Sequence, residues 1–169
     1  AFILASMTVV VDPAVQVMGV SANQGRFYLH VNIDFFATQP QFIAGVLLHE
    51  VHHVVLGHIT DPRYRGQRHE DLMTLAMEMS ANEFIQEKLP LTPVQWIDYA
   101  SFGIERGQST LERYEILVQA RERGEDIEPC DSLDDHILNG VSVLINRQDS
   151  DQESLGGGTT PADVQDLLQ

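Results

Sequence analysis

The chain has 169 residues, of which 43% are hydrophobic and 21% charged, so we expect one globular domain and exclude a wholly disordered chain. Acidic residues outnumber Lys and Arg by 25 to 10, which gives a formal net charge of −15. Because proteins bind nucleic acids and anionic membranes by neutralising phosphate groups, this charge argues against either as the main partner.

Two runs rich in β-branched and aromatic residues predict the strands of a small N-terminal sheet. They are SMTVVVD at residues 6–12 and RFYLHVN at residues 26–32, and the turn signal Asn23-Gln24-Gly25 precedes the second run. From Thr38, which suits the N-cap position, apolar residues recur at helical spacing. This pattern predicts a first long helix that ends near Gly57.

Two further helices are predicted after a polar loop at residues 58–69. The second helix is expected from about Glu70 to Lys88, where prolines stop it. The capping-box sequence Ser109-Thr110-Leu111-Glu112 predicts a third helix, which continues to Gly124. The polar loop holds three of the ten basic residues and is expected to form a local positive spot. These three are Arg63, Arg65 and Arg68.

The sequence changes character after the third helix. Residues 125–135 are acidic and residues 137–146 are apolar enough to pack, so the predicted domain covers residues 1–146. Residues 147–160, RQDSDQESLGGGTT, predict a flexible linker. Residues 161–169 begin like a helix, which we interpret as a short terminal helix or as the start of a further segment.

The most informative motif is His-Glu-x-x-His, formed by His49, Glu50 and His53 in the first long helix. Residues four apart lie on one helix face about 6 Å apart, so both imidazoles can reach one metal ion. Imidazole nitrogens suit Zn²⁺, which takes three protein ligands in catalytic sites, although the same donors can hold Fe(II) or Mn²⁺. The Glu50 carboxylate has the position of the general base that takes a proton from metal-activated water. We therefore expect one Zn²⁺ per chain.

Glu78 on the second helix is the favoured third metal ligand. Antiparallel packing of the two helices would bring Glu78 beside the first helix, and its apolar neighbours predict a buried carboxylate that needs a partner. His58 is the main alternative, but it lies about 140° around an ideal helix from His53. His69 and Asp71 are weaker candidates.

The His-Glu-x-x-His motif is typical of metalloproteases. Hydrolysis of a peptide bond needs, besides the metal and the base, a group that stabilises the oxyanion. The candidates lie in the loop after the metal helix and are His58, Tyr64, His69 and the three loop arginines. His52 is interpreted as a packed or exposed histidine. The alternative is that it contacts a metal ligand and holds it in place. His136 lies in an acidic turn and is interpreted as exposed rather than as a ligand. The aromatic residues expected to pack against the helical pair are Trp96, Tyr99 and Phe102.

With these motifs, the sequence resembles the bacterial metallopeptidase domain that lies N-terminal to VWA-like domains. The resemblance rests on YLHVNIDFF at residues 28–36, on HEVHHVVLGH, on the Ala-x-Glu-x-x-x-Asn run from Ala76 and on GQSTLERY at residues 107–114. It covers roughly residues 6–120. In that family an aspartate usually occupies the third metal position, where this chain has Glu78.

The segment EMSANEFIQEKLPLTP is also similar to the Glu-x-x-Ala-Asn-x-Phe-Ala segment of ImmA/IrrE-type zinc peptidases. Together the two resemblances imply an α+β, zincin-like and gluzincin-like fold. In it, a small N-terminal sheet packs on the metal helix and on a second antiparallel helix, with further helices C-terminal to them. The resemblances assign zinc ligation to His49, His53 and Glu78. They assign the general base to Glu50 and imply that Asn82 supports a ligand.

The favoured interpretation is a zinc metallopeptidase that hydrolyses peptide bonds of a cellular protein, with the substrate held extended on an edge strand. A first alternative is a metal-binding regulatory or interaction module of the same fold with weak turnover. The resemblance would give that module an AAA-type ATPase or VWA-domain partner. A second alternative is a protease whose acidic tail, residues 125–153, covers the cleft.

The sequence also predicts the compartment. The single cysteine, Cys130, cannot form an internal disulfide, so nothing requires an oxidising environment. No apolar run reaches the roughly 18 to 20 residues that span a membrane. We therefore expect a cytoplasmic protein that binds neither nucleic acid nor membrane.

Overall fold

The computed structural model describes residues 2–90 and 92–128, which form a mixed structure of helices and one small sheet. This confirms the predicted α+β class. The helices are α1 (Phe2–Ala5), α2 (Ile33–Thr38), α3 (Ile43–Val55), α4 (Glu70–Asn82) and α5 (Thr110–Glu122). The strands are β1 (Met7–Val11), β2 (Met18–Asn23) and β3 (Arg26–Val31). Three 3₁₀ segments of the described residues lie at Pro40–Phe42, Pro62–Tyr64 and Trp96–Phe102.

The sheet has the order β1-β3-β2, with β1 parallel and β2 antiparallel to β3. The two predicted strands are confirmed as β1 and β3. A tight turn joins β2 to β3, and both of its central residues have positive φ, 48° at Gln24 and 75° at Gly25. Such turns match the twist of a hairpin, so they fix the register in which Asn23 pairs with Arg26.

A buried polar network connects the three strands. The Asp12 carboxylate, directly after β1, lies 3.1 Å from Nδ1 of His30 on β3. Nε2 of His30 lies 2.9 Å from the Ser21 hydroxyl on β2. All three residues are buried, and the Asp12 carboxylate also accepts the backbone N–H of Ala14. The network satisfies polar groups that would otherwise be costly to bury, and it ties both outer strands to the central one.

The start of the first long helix differs from the prediction. Thr38 is the last residue of α2 and not an N-cap, because the Asn32 side chain caps a separate short helix by accepting the N–H groups of Asp34 and Phe35. After a 3₁₀ turn, α3 begins at Ile43. Its predicted end near Gly57 is confirmed.

The second helix begins at Glu70 as predicted but ends at Asn82, before the predicted Lys88. The chain after α4 instead passes close to α3, since a Cβ on Gly45 would lie 2.9 Å from the carbonyl carbon of Lys88 and closer still to its oxygen. Helices α3 and α4 are antiparallel, because the earlier residue of α3 contacts the later residue of α4: His49 contacts Asn82, and His53 contacts Glu78.

Two apolar clusters form the core of the described part. The first lies between the sheet and helices α2 and α3, and includes Met18, Val20, Leu29, Phe36 and Val46. The second lies between α4 and α5, and includes Leu72, Leu75, Met79, Tyr114 and Leu117. Trp96, Tyr99 and Phe102 pack against this second cluster. Because α3 belongs to one cluster and α4 to the other, the interface between these helices lies between the two clusters.

The third predicted helix is confirmed as α5, and its capping box is present. The Ser109 side chain accepts the Glu112 N–H, and the Glu112 carboxylate accepts the Ser109 N–H. The buried Arg113 then connects α5 to α4 by donating to Ser80 and Glu83. These contacts hold the first turn of α5 against α4.

Several predictions fall on residues that lie outside the described part. They are the linker at 147–160, the helix at 161–169, the exposed His136 and most of the acidic tail at 125–153. Within residues 2–90 and 92–128, no helix has the length and apolar character needed to cross a membrane.

Candidate metal centre

The two histidines of the motif lie side by side on α3. The Nε2 atoms of His49 and His53 are 3.0 Å apart, and the ring centroids are 4.5 Å apart. The spacing of four residues on the helix produces this arrangement, as the sequence predicted. Both residues are buried, with 1% and 0% exposure.

Glu78 on α4 completes a triangle of ligand atoms. Its Oε1 atom lies 3.5 Å from Nε2 of His49 and 3.3 Å from Nε2 of His53. Glu78 is 1% exposed, which confirms the predicted burial. Among the residues that the structure describes, these three form the group whose donor atoms converge closely enough to hold a metal ion. Two imidazoles and one carboxylate together favour a divalent cation.

Asn82 fixes the hydrogen position on His49. The Asn82 amide nitrogen donates to the Val94 carbonyl at 3.2 Å, so its Oδ1 atom faces His49. Nδ1 of His49 donates to that oxygen at 2.8 Å. With its hydrogen on Nδ1, a neutral His49 presents the lone pair of Nε2 to the triangle, as a metal ligand must. The contact implied for Asn82 by the resemblance is therefore present.

His58, the main alternative to Glu78, lies outside the group that could hold a metal ion in the described part of the chain. Its Nδ1 atom lies 2.9 Å from Nδ1 of His53, on the side of the ring away from the triangle. Its Nε2 atom lies 2.9 Å from the hydroxyl of Thr110, the first residue of α5. The helix does end before His58, but the chain folds back behind His53. The Tyr64 ring packs edge-on against His58 with centroids 5.0 Å apart.

Glu50 lies on α3 directly after His49 and is 3% exposed. A carboxylate at such burial has a strong electrostatic effect on its surroundings, because little water screens it. It lies between His49 and His53 in the sequence, which is the position expected of the general base.

The polar loop is less positive than predicted. The Arg63 side chain donates hydrogen bonds to Asp61, which lowers the pKa of the Asp61 carboxyl and raises the pKa of Arg63. Arg68 pairs with Glu122 at 2.9 Å. Arg65 donates to the carbonyl of Ile59. Since two of the three arginines have carboxylate partners, the predicted positive spot is largely neutralised.

The remaining candidate residues lie away from the triangle. Nδ1 of His52 donates to the carbonyl of Ala81 at 2.7 Å and so connects α3 to α4. Asp71 pairs with Arg121 of α5, and the Arg121 side chain lowers the pKa of the Asp71 carboxyl by hydrogen bonding. His69 is the residue before α4. None of these three belongs to the group that could hold a metal ion in the described part of the chain.

The contact between Thr110 and His58 was not predicted from the sequence. The residue was predicted only as part of a helix start, and 52 positions separate it from His58. No local pattern carries information about such a contact.

Comparison with known proteins adds no family. No family model matches the chain, and neither does any curated protein or solved structure.

Proposed function

We propose that this protein is a zinc-dependent metallopeptidase that hydrolyses peptide bonds of a protein substrate. The observation that carries the proposal is the convergence of His49, His53 and Glu78, with Glu50 beside the first ligand. The combination matches the donor set of zinc peptidases with two histidines and one glutamate. A zincin-like fold and the family resemblances of the sequence are parts of the same proposal.

The dimensions of the triangle fit zinc. Tetrahedral zinc with bonds of about 2.0–2.1 Å places its ligand atoms about 3.3 Å apart. The three separations here are 3.0, 3.3 and 3.5 Å, which bracket that value. The site therefore needs little adjustment to take the ion, and three protein ligands leave a fourth position open.

In the proposed hydrolysis, Glu50 and Asn82 would have different roles. Zinc, when bound, acts as a Lewis acid and lowers the pKa of water. Glu50 would accept the proton of the attacking water and deliver it to the leaving amine. Asn82 would hold His49 in the orientation that exposes its Nε2 lone pair.

The substrate would bind along the edge of the sheet nearest the metal helix. Strand β2 is an edge strand and packs against α3, whereas β1 forms the opposite edge. An extended peptide can add to such an edge through its backbone. We therefore favour a polypeptide substrate in extended form over a compact small molecule.

The test of this function is Glu50→Gln, which keeps the size of the side chain and removes the base. Cleavage of a denatured protein or a peptide library should fall by about 10²–10⁴-fold, because general-base catalysis has this magnitude. The zinc content should stay at the wild-type level. Glu70→Gln, at an exposed position on α4, is the matched control and should keep full activity. Equal cleavage by Glu50→Gln and wild type would contradict the proposed role.

The burial of the ligands favours one alternative, a metal-binding regulatory or interaction module. Buried ligands suit a metal site that no substrate has to reach, and the three proposed ligands are no more than 1% exposed. Such a module would act with an AAA-type ATPase or a VWA-domain partner. It predicts stoichiometric zinc without cleavage by the wild type, and a biological activity that Glu50→Gln leaves intact.

A further inference from the structure

A chain of buried side chains connects the ligand His53 to helix α5. Nδ1 of His53 lies 2.9 Å from Nδ1 of His58, and Nε2 of His58 lies 2.9 Å from the Thr110 hydroxyl. His53 is 0% exposed, and His58 and Thr110 are each 3% exposed. Residues at this burial keep their hydrogen-bond geometry because water does not compete for it.

The end of α3 explains how His58 reaches this place. Gly57 has a φ of +78°, and its N–H donates to the carbonyl of Val54 at 3.1 Å. The N–H of His58 donates to the carbonyl of His53 at 2.9 Å. These are the two hydrogen bonds of a Schellman motif, which reverses the chain at a helix end. The motif therefore holds the backbone of His58 onto that of His53, with their rings 4.9 Å apart.

The positions of the ring hydrogens on His53 and His58 follow from the nitrogen atom that His53 must offer to a cation. A neutral His53 that offers the Nε2 lone pair to a cation carries its hydrogen on Nδ1 and donates it to Nδ1 of His58. A neutral His58 then carries its own hydrogen on Nε2 and donates it to the Thr110 hydroxyl. The opposite order would place a hydrogen on Nε2 of His53, inside the triangle, and block the ligand position.

We propose that His58 and Thr110 are positioning residues that select the metal-binding tautomer and ring orientation of His53, so that the first turn of α5 forms part of the metal centre. The inference rests on the metal site of the proposed function. Thr110 is held in place, because the capping box of Ser109 and Glu112 orders the first turn of α5 and Arg113 connects that turn to α4. His58 and Asn82 thus support the two histidine ligands from different elements.

The experiment measures zinc affinity by competition with a chromogenic chelator for a set of matched variants. His58→Leu removes both hydrogen bonds and should weaken zinc binding by about 10–100-fold, the usual effect of losing such a support. Thr110→Val removes only the hydroxyl and should weaken binding by a smaller factor. Thr110→Ser retains the hydroxyl and should restore wild-type affinity. Thr60→Val, at an exposed position in the loop after α3, is the control for the Thr-to-Val change.

Cobalt substitution distinguishes positioning from loss of stability. The visible absorption of bound Co²⁺ reports ligand geometry, so His58→Leu and Thr110→Val should change the spectrum of the loaded protein while Thr110→Ser should not. A merely structural role would lower the unfolding midpoint and leave that spectrum unchanged. If His58→Leu does not fold, the Thr110 pair decides the question.

The outcomes also separate this inference from the proposed function. Wild-type zinc affinity and an unchanged cobalt spectrum in folded His58→Leu or Thr110→Val would overturn the positioning role and leave the peptidase proposal intact. Weaker zinc binding by these variants, with no cleavage by the wild type, would support the positioning role and overturn the peptidase. A wild-type protein that binds no zinc would overturn both.

Discussion

At the scale of single residues, Gly45 shows how closely α3 approaches the segment after α4. It lies one turn before His49, and a side chain there would meet the backbone at Lys88. Backbone atoms cannot move aside as a flexible side chain can. The position therefore accepts glycine although alanine is the better helix former.

Gly45→Ala is expected to destabilise the protein by about 1–3 kcal/mol, the usual cost of overpacking. The gain in helix propensity, about 1 kcal/mol, offsets only part of the clash. Urea unfolding monitored by circular dichroism measures the change. For comparison, Gly66→Ala meets nothing within 4 Å and carries only the backbone cost of a φ of +63°, about 1 kcal/mol. A Gly45→Ala protein more stable than wild type would show that the two segments are not in contact.

Most residues of the candidate metal site could be identified one by one from the sequence, because they carry local signals. His49, Glu50 and His53 form a motif within one helix, and Glu78 stands out as a carboxylate among apolar neighbours. His58 was recognised as a candidate, but its contacts with His53 and Thr110 were not predicted, because the sequence shows that a helix ends before it and not where its ring then points. That direction depends on the Schellman turn and on the distant Thr110.

At the scale of elements, the sequence predicted those with strong intrinsic signals. Strands β1 and β3 are rich in β-branched and aromatic residues, and α5 begins with a capping box. Strand β2 was missed because Gly19, Ser21 and Ala22 have low strand propensity. It forms since the hairpin turn and β3 supply hydrogen bonds and burial. The early end of α4, at Asn82, was also missed.

The contact between α4 and α5 includes a surface ion pair whose effect depends on pH. Arg121 donates to both carboxylate oxygens of Asp71, at 3.0 and 2.5 Å. Mainly through the hydrogen bond from Arg121, the pKa of Asp71 lies below its ordinary value of about 3.9. A lowered folded-state pKa adds stability that is fully present above the unfolded value and is lost as the pH falls through the folded value.

Asp71→Asn should therefore reduce the free energy of unfolding at pH 7, by less than about 1 kcal/mol because the pair is half exposed. The difference from wild type should shrink as the pH falls below about 3.9. Urea titrations at several pH values measure it. Glu115→Gln, at an exposed position on α5, serves as the control for loss of a carboxylate. A difference that grows on acidification would contradict this account of the pair.

At the scale of the whole molecule, the candidate metal centre lies between the two clusters of the core. Helix α3 carries His49 and His53 beside the cluster under the sheet, and α4 carries Glu78 beside the second cluster. Thr110 of α5 contacts His58. An ion bound there connects all three helices. Binding to the folded state alone would stabilise it by about 2.7 kcal/mol at a free zinc concentration 100 times the Kd.

The net charge of −15 affects how this binding is measured. A strongly acidic surface concentrates cations, so exposed carboxylates will hold some metal weakly. Dialysis against a mild chelator removes such ions and leaves those held by converging buried ligands. The Glu70→Ala variant, which loses one exposed carboxylate on α4, serves as the control for this weak binding.

The most direct test of the metal centre is elemental analysis of dialysed wild type and of Glu78→Ala, with zinc offered to both. We expect about one zinc per chain in the wild type and in Glu70→Ala, and little zinc in Glu78→Ala. The unfolding temperature should rise with zinc only in the proteins that retain it. Wild-type zinc content in a folded Glu78→Ala protein would contradict the assignment of the third ligand. Absence of metal from the wild type would contradict the centre as a whole.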